Sequence, residues 1–494
     1  MLRDQRKNIK YMNLVSAKNF LCEIGRIFES INSKKLALIY LIMAVPQAIF
    51  LLIATPPMQS PDAINHFMRA YQVYSLGNVG SYKGGAGGLV DTGIISFSAP
   101  LAAKLAFHYE NKISKTDLDK SQAVQLTGKK VESAFPNTVQ YPFYGYLPQV
   151  ASFIILGRSG NQVYKIYFLA CALNILSALF LTYLSIRKSV RTSMAIFTMG
   201  LLPMTLSLYA SVSQDALLIS TCFLFIAIAD SMMSEPGGSS NKSIRLFAIL
   251  AVLIGIARPP YIILAFTIFS PLIRVGEQHS LYKLKVRLKI FFCIVLPALI
   301  AGLLMFLRAR GGIAVADVSA AGQLAELVRH PLFIFNVARD TLATNGISYI
   351  QSTLAVLGWF DTRYPNVYYV ASASVAIFSL AVSTHWSVGT HRSRSFDSAA
   401  LLSVVFAMLG VFFALYLTWT KVGASVIDGV QGRYFIALLP MFAASIPGIF
   451  SSGLGKSNWS SIGGGALMTV ILVFPVFSFG MTVYEIIGRY YLSA

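Results

Sequence analysis

The chain has 494 residues, of which 55% are hydrophobic and only 12% are charged, and its mean hydropathy is +0.64. This much apolar surface cannot be buried inside water-soluble domains, so the composition excludes a soluble globular protein and predicts several membrane spans. A net charge of +20 is also typical of nucleic-acid-binding proteins. Membrane topology explains the basic residues equally well, and we therefore expect no nucleic-acid partner.

Residues 1–35 form a basic segment that we expect in the cytosol, either as a topology anchor or as an amphipathic helix on the anionic leaflet. The apolar run from Leu36 to Ala54 is longer than a signal-peptide core and predicts an uncleaved first span. About half of the 40 Lys and Arg residues then fall on the cytosolic side of the predicted topology. With margins of about three residues, we predict about eleven transmembrane helices, at 36–54, 162–186, 193–210, 216–233, 244–257, 259–273, 289–307, 366–384, 397–418, 433–450 and 461–484.

The predicted fold class is an all-α polytopic membrane protein with a transmembrane domain over 36–484 and an external tail at 485–494. Residues 55–160 are expected to form one large external loop or a small subdomain, in which the glycine-rich run 84–88 is a flexible loop. Within it, the stretch at 137–155 mixes aromatic residues and prolines with an apolar segment of about a dozen residues, which is too short to cross and predicts an interfacial or re-entrant helix.

A second external segment is predicted at 308–366. It contains an expected amphipathic surface helix at 323–345 and a re-entrant element at 347–360 that faces Asp62. The short fifth and sixth spans, joined by Arg258-Pro259-Pro260, predict a broken hairpin of the kind that flanks a cavity.

The clearest candidate site lies between Thr55 and Tyr74, directly after the first span. A helix that begins near residue 61 would place Asp62, His66 and Arg69 on one face, because these residues are four and seven positions apart. Ionisable groups at the membrane edge are functional candidates. This stretch therefore predicts a reactive site next to the head of a lipid-borne substrate.

Asp62 is predicted to be a general base, with capping of the following helix as the alternative. His66 could orient that base or bind a metal, and the alternative is a structural hydrogen bond. One His beside one carboxylate is not a metal ligand set, so no metal and no cofactor are predicted. Asp215, in the stretch Ser-Gln-Asp, is predicted to cap the fourth span.

Donor-phosphate binding is assigned to arginines, because a guanidinium stays charged near lipid and binds phosphate through two nitrogens. Arg69 and Arg433 are the first candidates, although each could instead mark an interfacial helix end. Gln431 lies beside Arg433 in the last external loop. Asp361 and Arg363 are further substrate-binding candidates, with a mutual ion pair as the alternative.

This combination suits sugar transfer from a lipid phosphate, in which a carboxylate deprotonates the acceptor hydroxyl and cations stabilise the departing phosphate. The expected partners are a lipid-phosphate-linked sugar donor, a lipid-linked or polymeric glycan acceptor and membrane lipids. Two alternatives remain open. A lipid-linked glycan flippase or transporter would need similar basic residues, and a glycan polymerase or ligase would share the phosphate-binding cations.

The chain resembles a bacterial family of polytopic membrane proteins of formerly unknown function that is grouped with GT-C glycosyltransferases. The resemblance runs from about Ile39 to Phe450 and is carried by four stretches, PPMQSPDAINHFMRAYQ, SVSQDALL, LGWFDTRYP and QGRYFIALLP. It implies a GT-C-like bundle, a polyprenyl-phosphate sugar donor and an active site on the external, periplasmic face of the bacterial cytoplasmic membrane. O-antigen or another envelope glycan is the implied acceptor, and glucose is one sugar that enzymes of this type transfer.

The family's base in the first external loop maps onto Asp62, and its Arg-Tyr-Phe element maps onto Arg433. Members often have Pro-Asp-Glu before the His-Phe pair, whereas this chain has Ala63 after Asp62. The second carboxylate is therefore missing, which leaves a divalent metal without support.

Overall fold

The computed structural model describes residues 31–82, 85–235, 238–275, 280–308, 317–385, 397–445 and 459–492. The predicted amphipathic helix near the N-terminus lies outside these residues. The described chain is mostly helical. Its helices are α1 (Ser33–Ala54), α2 (Ala63–Tyr74), α3 (Thr92–Leu105), α4 (Lys115–Ala123), α5 (Pro136–Val139), α6 (Leu147–Leu156), α7 (Val163–Lys188), α8 (Ser193–Gly200), α9 (Pro203–Tyr209), α10 (Asp215–Ser234), α11 (Asn241–Ala257), α12 (Ser280–Arg308), α13 (Ala320–Arg329), α14 (Phe333–Leu354), α15 (Asn366–His385), α16 (Ser398–Thr418), α17 (Arg433–Ile436), α18 (Pro440–Ser445) and α19 (Trp459–Tyr490).

Six helices in the described part of the chain are long and apolar enough to cross a membrane. They are Ser33–Ala54, Val163–Lys188, Asp215–Ser234, Lys283–Leu304, Ser398–Thr418 and Leu467–Tyr490. The protein is therefore a membrane protein with several apolar helices, and the predicted number of about eleven spans is not reached by this criterion.

Helix breaks account for much of this difference. The predicted span at 193–210 is divided into α8 and α9 by a turn before Pro203, and the span at 433–450 contains the two short helices α17 and α18. Proline lacks the backbone N–H that a continuous helix needs, so a helix that meets one tends to end or restart there. The sixth predicted span is an 11-residue 3-10 helix, Pro259–Phe269, that starts at the paired prolines.

The α7 helix packs against both α1 and α10, and α10 is buried along most of its length. Asn32 caps α1, because its side chain accepts hydrogen bonds from the backbone N–H groups of Lys34 and Lys35. The α7 helix ends with Arg187 and Lys188 in its last turn, where cations interact favourably with the helix dipole.

Residues after α1 form a compact subdomain, one of the two alternatives predicted for 55–160, and not a flexible loop. It contains a three-stranded antiparallel sheet of β1 (Gly80–Tyr82), β2 (Gly85–Asp91) and β3 (Lys130–Ala134), with β2 in the middle. The described chain is therefore mostly helical, as predicted, but it also contains a small sheet, and the glycine-rich run is a strand and not a loop from Gly85 onward. The glycine-rich run enters β2, where a Cβ at Gly87 would lie 1.9 Å from the carbonyl oxygen of Ser133. Glycine permits this close pairing.

A second hydrophobic core holds the subdomain on the helix bundle. Phe67 of α2 contacts the rings of Phe97, Phe153 and Tyr167, which belong to α3, α6 and α7. The α6 helix covers the stretch where a short interfacial or re-entrant helix was predicted. These contacts fix α2, and with it the preceding residue Asp62, relative to the bundle.

The second external segment and the C-terminus differ from their predictions. A break at Pro331 separates α13 from α14, and α14 then continues to Leu354, through most of the expected re-entrant element. A short antiparallel pair follows, β4 (Val356–Leu357) and β5 (Thr362–Arg363). The predicted external tail is helical as far as Tyr490, where α19 ends against the subdomain.

Candidate functional site

Asp62 occupies the residue before α2 in a left-handed backbone conformation, with φ of 59°. Asp tolerates this conformation better than most residues. In the described structure its side chain caps no backbone N–H of α2. Instead, one carboxylate oxygen accepts a hydrogen bond from the Asn137 side chain at 2.7 Å, and the other accepts one from Arg433 at 2.9 Å. The capping alternative is therefore wrong, and the carboxylate belongs to a polar cluster.

Arg433 is placed by the glycine before it. A Cβ at Gly432 would lie 2.0 Å from the carbonyl oxygen of Tyr349 and 2.4 Å from the backbone nitrogen of Thr353, so only glycine fits against α14 here. The backbone of Gly432 also donates to the hydroxyl of Ser352 at 2.9 Å and accepts from the hydroxyl of Thr353 at 3.0 Å. These contacts fix the start of α17, and with it the guanidinium.

Four charged side chains form a chain of alternating sign at this end of the bundle. Arg433 links Asp62, at 2.9 Å, to Asp215, whose carboxylate lies 3.7 Å from its Nη1. Asp215 in turn accepts a hydrogen bond from Arg258 at 3.1 Å. The Arg433 and Asp215 side chains are only 3% and 6% exposed, whereas that of Asp62 is 30% exposed. Asp62 is thus the outer member of a largely buried cluster.

Aromatic rings surround both guanidinium groups. Arg258 lies 4.3 Å above the ring of Tyr434, and Arg433 lies 5.8 Å from the ring of Phe360. Beside Phe360, the indole N–H of Trp359 donates to the carbonyl of Met58 at 2.9 Å. The hairpin after α14 therefore lies against both the first external stretch and Arg433. All four sequence stretches that carry the family resemblance contribute to this one cluster.

His66 lies beside the cluster, but its described hydrogen bonds do not go to Asp62. Its Nδ1 is 2.8 Å from the hydroxyl of Tyr146, and its Nε2 is 3.3 Å from the hydroxyl of Ser213. The imidazole also stacks on Tyr141. Burial lowers the pKa of His66 to about 4, despite the opposing effect of Asp62 and Asp215. This geometry supports the structural alternative for His66, as a neutral side chain, over direct orientation of the base.

Arg69 is directed into the subdomain. It donates to the side chain of Gln72 and, at 2.8 Å, to the carbonyl of Tyr141. Burial lowers its pKa. These partners make Arg69 a residue that connects α2 to the segment before α6, and the structure shows no described contact between Arg69 and Asp62.

The remaining predicted residues lie around the cluster rather than in it. Asp361 pairs with the fully buried Arg489 at 2.7 Å, so the suggested Asp361–Arg363 ion pair is wrong. Arg363 is exposed and approaches Gln351 at 3.5 Å. Gln431 lies two residues before Arg433, and its buried side-chain oxygen has no hydrogen-bond partner among the described residues.

Two members of the cluster were not predicted as site residues. Asp215 was assigned to helix capping, but its carboxylate contacts two arginines and no capping bond to α10 is present in the described structure. Arg258 was noted only as part of a helix break. Two features of the sequence, taken together, could have identified these residues. A break between two short spans and an acid at a helix start both indicate polar groups at membrane depth.

A large apolar cavity of about 750 Å³ begins near the cluster. Its wall includes Ile262 and Ile263, which follow Arg258 on the 3-10 helix, and Phe412, whose ring stacks on Phe435 at 5.4 Å. Phe435 is two residues beyond Arg433. Neither Arg258 nor Arg433 lines the cavity, but its wall includes or contacts residues of the two segments that carry them, an arrangement that fits a ligand with an anionic head and an apolar tail.

No group of three or more His, Cys, Asp or Glu side chains that could hold a metal ion is present among the described residues. The cluster does, however, offer donors suited to an anion. The Nε and Nη1 atoms of Arg433 donate no hydrogen bond to any described residue. Buried donors without a partner are uncommon and indicate a place for a missing acceptor.

Comparison with known proteins gives one match. The family model described as "Predicted membrane protein (DUF2142)" matches residues 47–442. No curated protein and no solved structure matches the chain. The matched region includes Asp62, Asp215, Arg258 and Arg433 and covers most of the chain. The chain therefore belongs to the family of predicted membrane proteins described as DUF2142.

Proposed function

We infer that the protein is a membrane glycosyltransferase of the GT-C type. It moves a sugar from a polyprenyl-phosphate donor to an envelope glycan, such as O-antigen, with inversion at the sugar carbon. In this proposal the reaction takes place on the external face of the bacterial cytoplasmic membrane.

One observation carries the proposal: a part-exposed carboxylate directly contacts a buried arginine that has unused donor groups. Asp62 is 30% exposed and Arg433 is 3% exposed, and 2.9 Å separates their atoms. Two nitrogens of Arg433 make no hydrogen bond to described residues. Sugar transfer from a phosphate needs a base for the acceptor hydroxyl and a cation for the departing phosphate. Because these two act on opposite sides of one sugar carbon, the bound sugar must separate Asp62 from Arg433.

The reaction follows from these positions. Asp62 accepts the proton of an acceptor hydroxyl, whose oxygen forms a bond to the anomeric carbon of the donor sugar. The bond from that carbon to the phosphate oxygen breaks, and the electron pair leaves with the polyprenyl phosphate. Arg433 stabilises the added negative charge, because a guanidinium offers paired donors to phosphate oxygens. His66 supports the site through Tyr146 and Ser213 rather than by proton transfer.

The apolar cavity supports a lipid-linked donor. It is lined almost wholly by aliphatic and aromatic side chains from the 3-10 helix, α12, α14 and α16. A polyprenyl chain is longer than this space, so we assign to the cavity the isoprene units nearest the phosphate. The rest of the chain would lie in the bilayer. A water-soluble nucleotide-sugar donor would gain little from such a cavity, because it has no apolar tail to bury.

The proposal is tested by incubating the purified protein with several polyprenyl-phosphate sugars, each labelled in the sugar. Transfer of label to a glycan acceptor, or slow hydrolysis without one, is the expected result. Movement of an intact labelled lipid across vesicles, with no transfer or hydrolysis, would instead favour the flippase alternative.

A further inference from the structure

Arg433 contacts two carboxylates, and these differ in accessibility. Its Nη2 donates to Asp62 at 2.9 Å, while its Nη1 lies 3.7 Å from Asp215. Asp215 is 6% exposed and is also bound by Arg258 at 3.1 Å. Asp62 is 30% exposed. The inner carboxylate is therefore fixed, and the outer one faces the side from which a ligand can approach.

An incoming phosphate must meet Arg433 on the side of Asp62, because Nη1 on the opposite side is buried and lies 3.7 Å from Asp215. Asp62 already uses one nitrogen of the guanidinium on this side. A phosphate and a carboxylate that share one guanidinium repel each other, since both carry negative charge. The two anions therefore compete for Arg433.

We propose that Arg433 exchanges partners during the reaction, leaving Asp62 when the donor phosphate binds. The inference rests on the proposed function, because it takes Arg433 as the phosphate ligand and Asp62 as the base. Asp215, held in place by Arg258, keeps the guanidinium in the cluster during the exchange. Asp215 is thus a positioning residue for Arg433.

The exchange makes the base available only when the donor is present. A carboxylate that accepts a charge-assisted hydrogen bond from a guanidinium has a lone pair occupied and is a poorer proton acceptor. Once the guanidinium binds the phosphate, one oxygen of Asp62 keeps its 2.7 Å hydrogen bond from Asn137, and the other oxygen becomes free to accept a proton. The protein thereby couples donor binding to acceptor activation and suppresses reaction of Asp62 in the empty site.

Partner exchange by Arg433 predicts an unusual effect of one substitution on the binding of the donor phosphate. Asp62→Asn removes the competing charge, so the variant should bind the donor phosphate more tightly than the wild type even though it loses turnover. An ion pair with one part-exposed partner predicts a gain of about threefold to fivefold. If Asp62 served only to hold the fold together, its replacement would weaken binding or leave it unchanged.

The experiment measures the affinity of purified protein in detergent for undecaprenyl monophosphate, with inorganic phosphate as a second probe that lacks the tail. The wild type, Asp62→Asn, Arg433→Ala and the double variant form one cycle. Asp428→Asn is the matched control, because it removes an exposed carboxylate five residues before Arg433. Circular dichroism and thermal melting establish that each variant is folded, and Asp62→Ser replaces Asp62→Asn if the latter does not fold.

The inference predicts tighter binding of both probes by Asp62→Asn, no gain in Asp428→Asn and no gain from Asp62→Asn when Arg433 is alanine. Equal or weaker binding by folded Asp62→Asn would overturn it, and so would a gain that persists without Arg433. These results are separate from the proposed function. Loss of sugar transfer without tighter binding would reject only the partner exchange, whereas retained transfer in Asp62→Asn would reject Asp62 as the base.

Discussion

Gly432→Ala is the substitution whose effect can be worked out most directly from the structure. The new Cβ would lie 2.0 Å from the carbonyl oxygen of Tyr349, and ordinary contact begins at 3.4 Å, so the two segments must separate by about 1.4 Å. The atoms that the new Cβ would meet, the Tyr349 carbonyl oxygen and the Thr353 nitrogen, belong to the backbone of α14, so no flexible side chain can move aside. The displacement would move the residue that precedes Arg433. It would therefore break the 2.9 Å hydrogen bond that Arg433 donates to Asp62.

A misplacement of about 1 Å in a catalytic group typically lowers the rate about 10²-fold. We therefore expect Gly432→Ala to reduce sugar transfer by about that factor, and overpacking to lower the free energy of unfolding by about 1–3 kcal/mol. Initial rates with a labelled polyprenyl-phosphate sugar measure the first effect, and thermal melting in detergent measures the second.

Gly346→Ala is the matched control for this prediction. Gly346 lies on the same helix, α14, but a Cβ there would meet nothing within 4 Å. Alanine favours helix by up to about 1 kcal/mol over glycine, so this variant should be active and at least as stable as the wild type. A folded Gly432→Ala variant that transfers sugar within about threefold of the wild-type rate would refute the claim that this glycine positions Arg433 for catalysis.

Three further predictions concern the cavity, His66 and the topology. Ala338→Trp should fill part of the apolar cavity and raise the KM for a polyprenyl-phosphate sugar about tenfold without affecting a sugar phosphate that lacks the apolar tail. Ala343 lies on the same helix but outside the cavity wall and should tolerate Trp; an equal effect of Ala338→Trp on both donors would contradict this. Because burial lowers the pKa of His66 from 6.5 to about 4, the unfolded chain binds the extra proton in this range, and about 3 kcal/mol of stability should be lost as the pH falls from 6.5 to 4. His66→Gln should flatten this part of the stability profile, and an unchanged slope would argue against a buried neutral His66. A reporter fused at Lys115 should be external, and a cytosolic signal would place Asp62 on the wrong side for the proposed reaction.

Two residues that are in contact in the structure were singled out from the sequence, whereas several helices around them differ from their predictions. Asp62 and Arg433 are 371 residues apart in the chain and were both identified from their residue type and their place at the ends of apolar runs. Their direct pairing was not predicted, because periodicity reports which face of a helix a residue occupies and not which distant helix lies opposite. The same limit explains why Asp361 was paired with its neighbour Arg363 when its partner is Arg489.

The errors in the fold have a related cause. Hydropathy identifies apolar segments, but it does not distinguish a continuous span from two short helices joined by a turn, as at α8 and α9. The glycine-rich strand β2 has no alternating apolar pattern, so its pairing depends on contacts with β3 that a single sequence does not reveal. The end of α19 is buried by the subdomain, although its composition resembles that of an exposed tail.

The most direct test of the account is the rate of sugar transfer by purified Asp62→Asn. Asparagine preserves the size of the side chain and can still accept the hydrogen bond from Arg433, but it cannot take a proton from the acceptor. Loss of a general base predicts a rate about 10²- to 10⁴-fold lower than that of the wild type, with the melting temperature little changed. A folded, membrane-inserted Asp62→Asn variant that transfers sugar within about threefold of the wild-type rate would contradict the proposed role of Asp62.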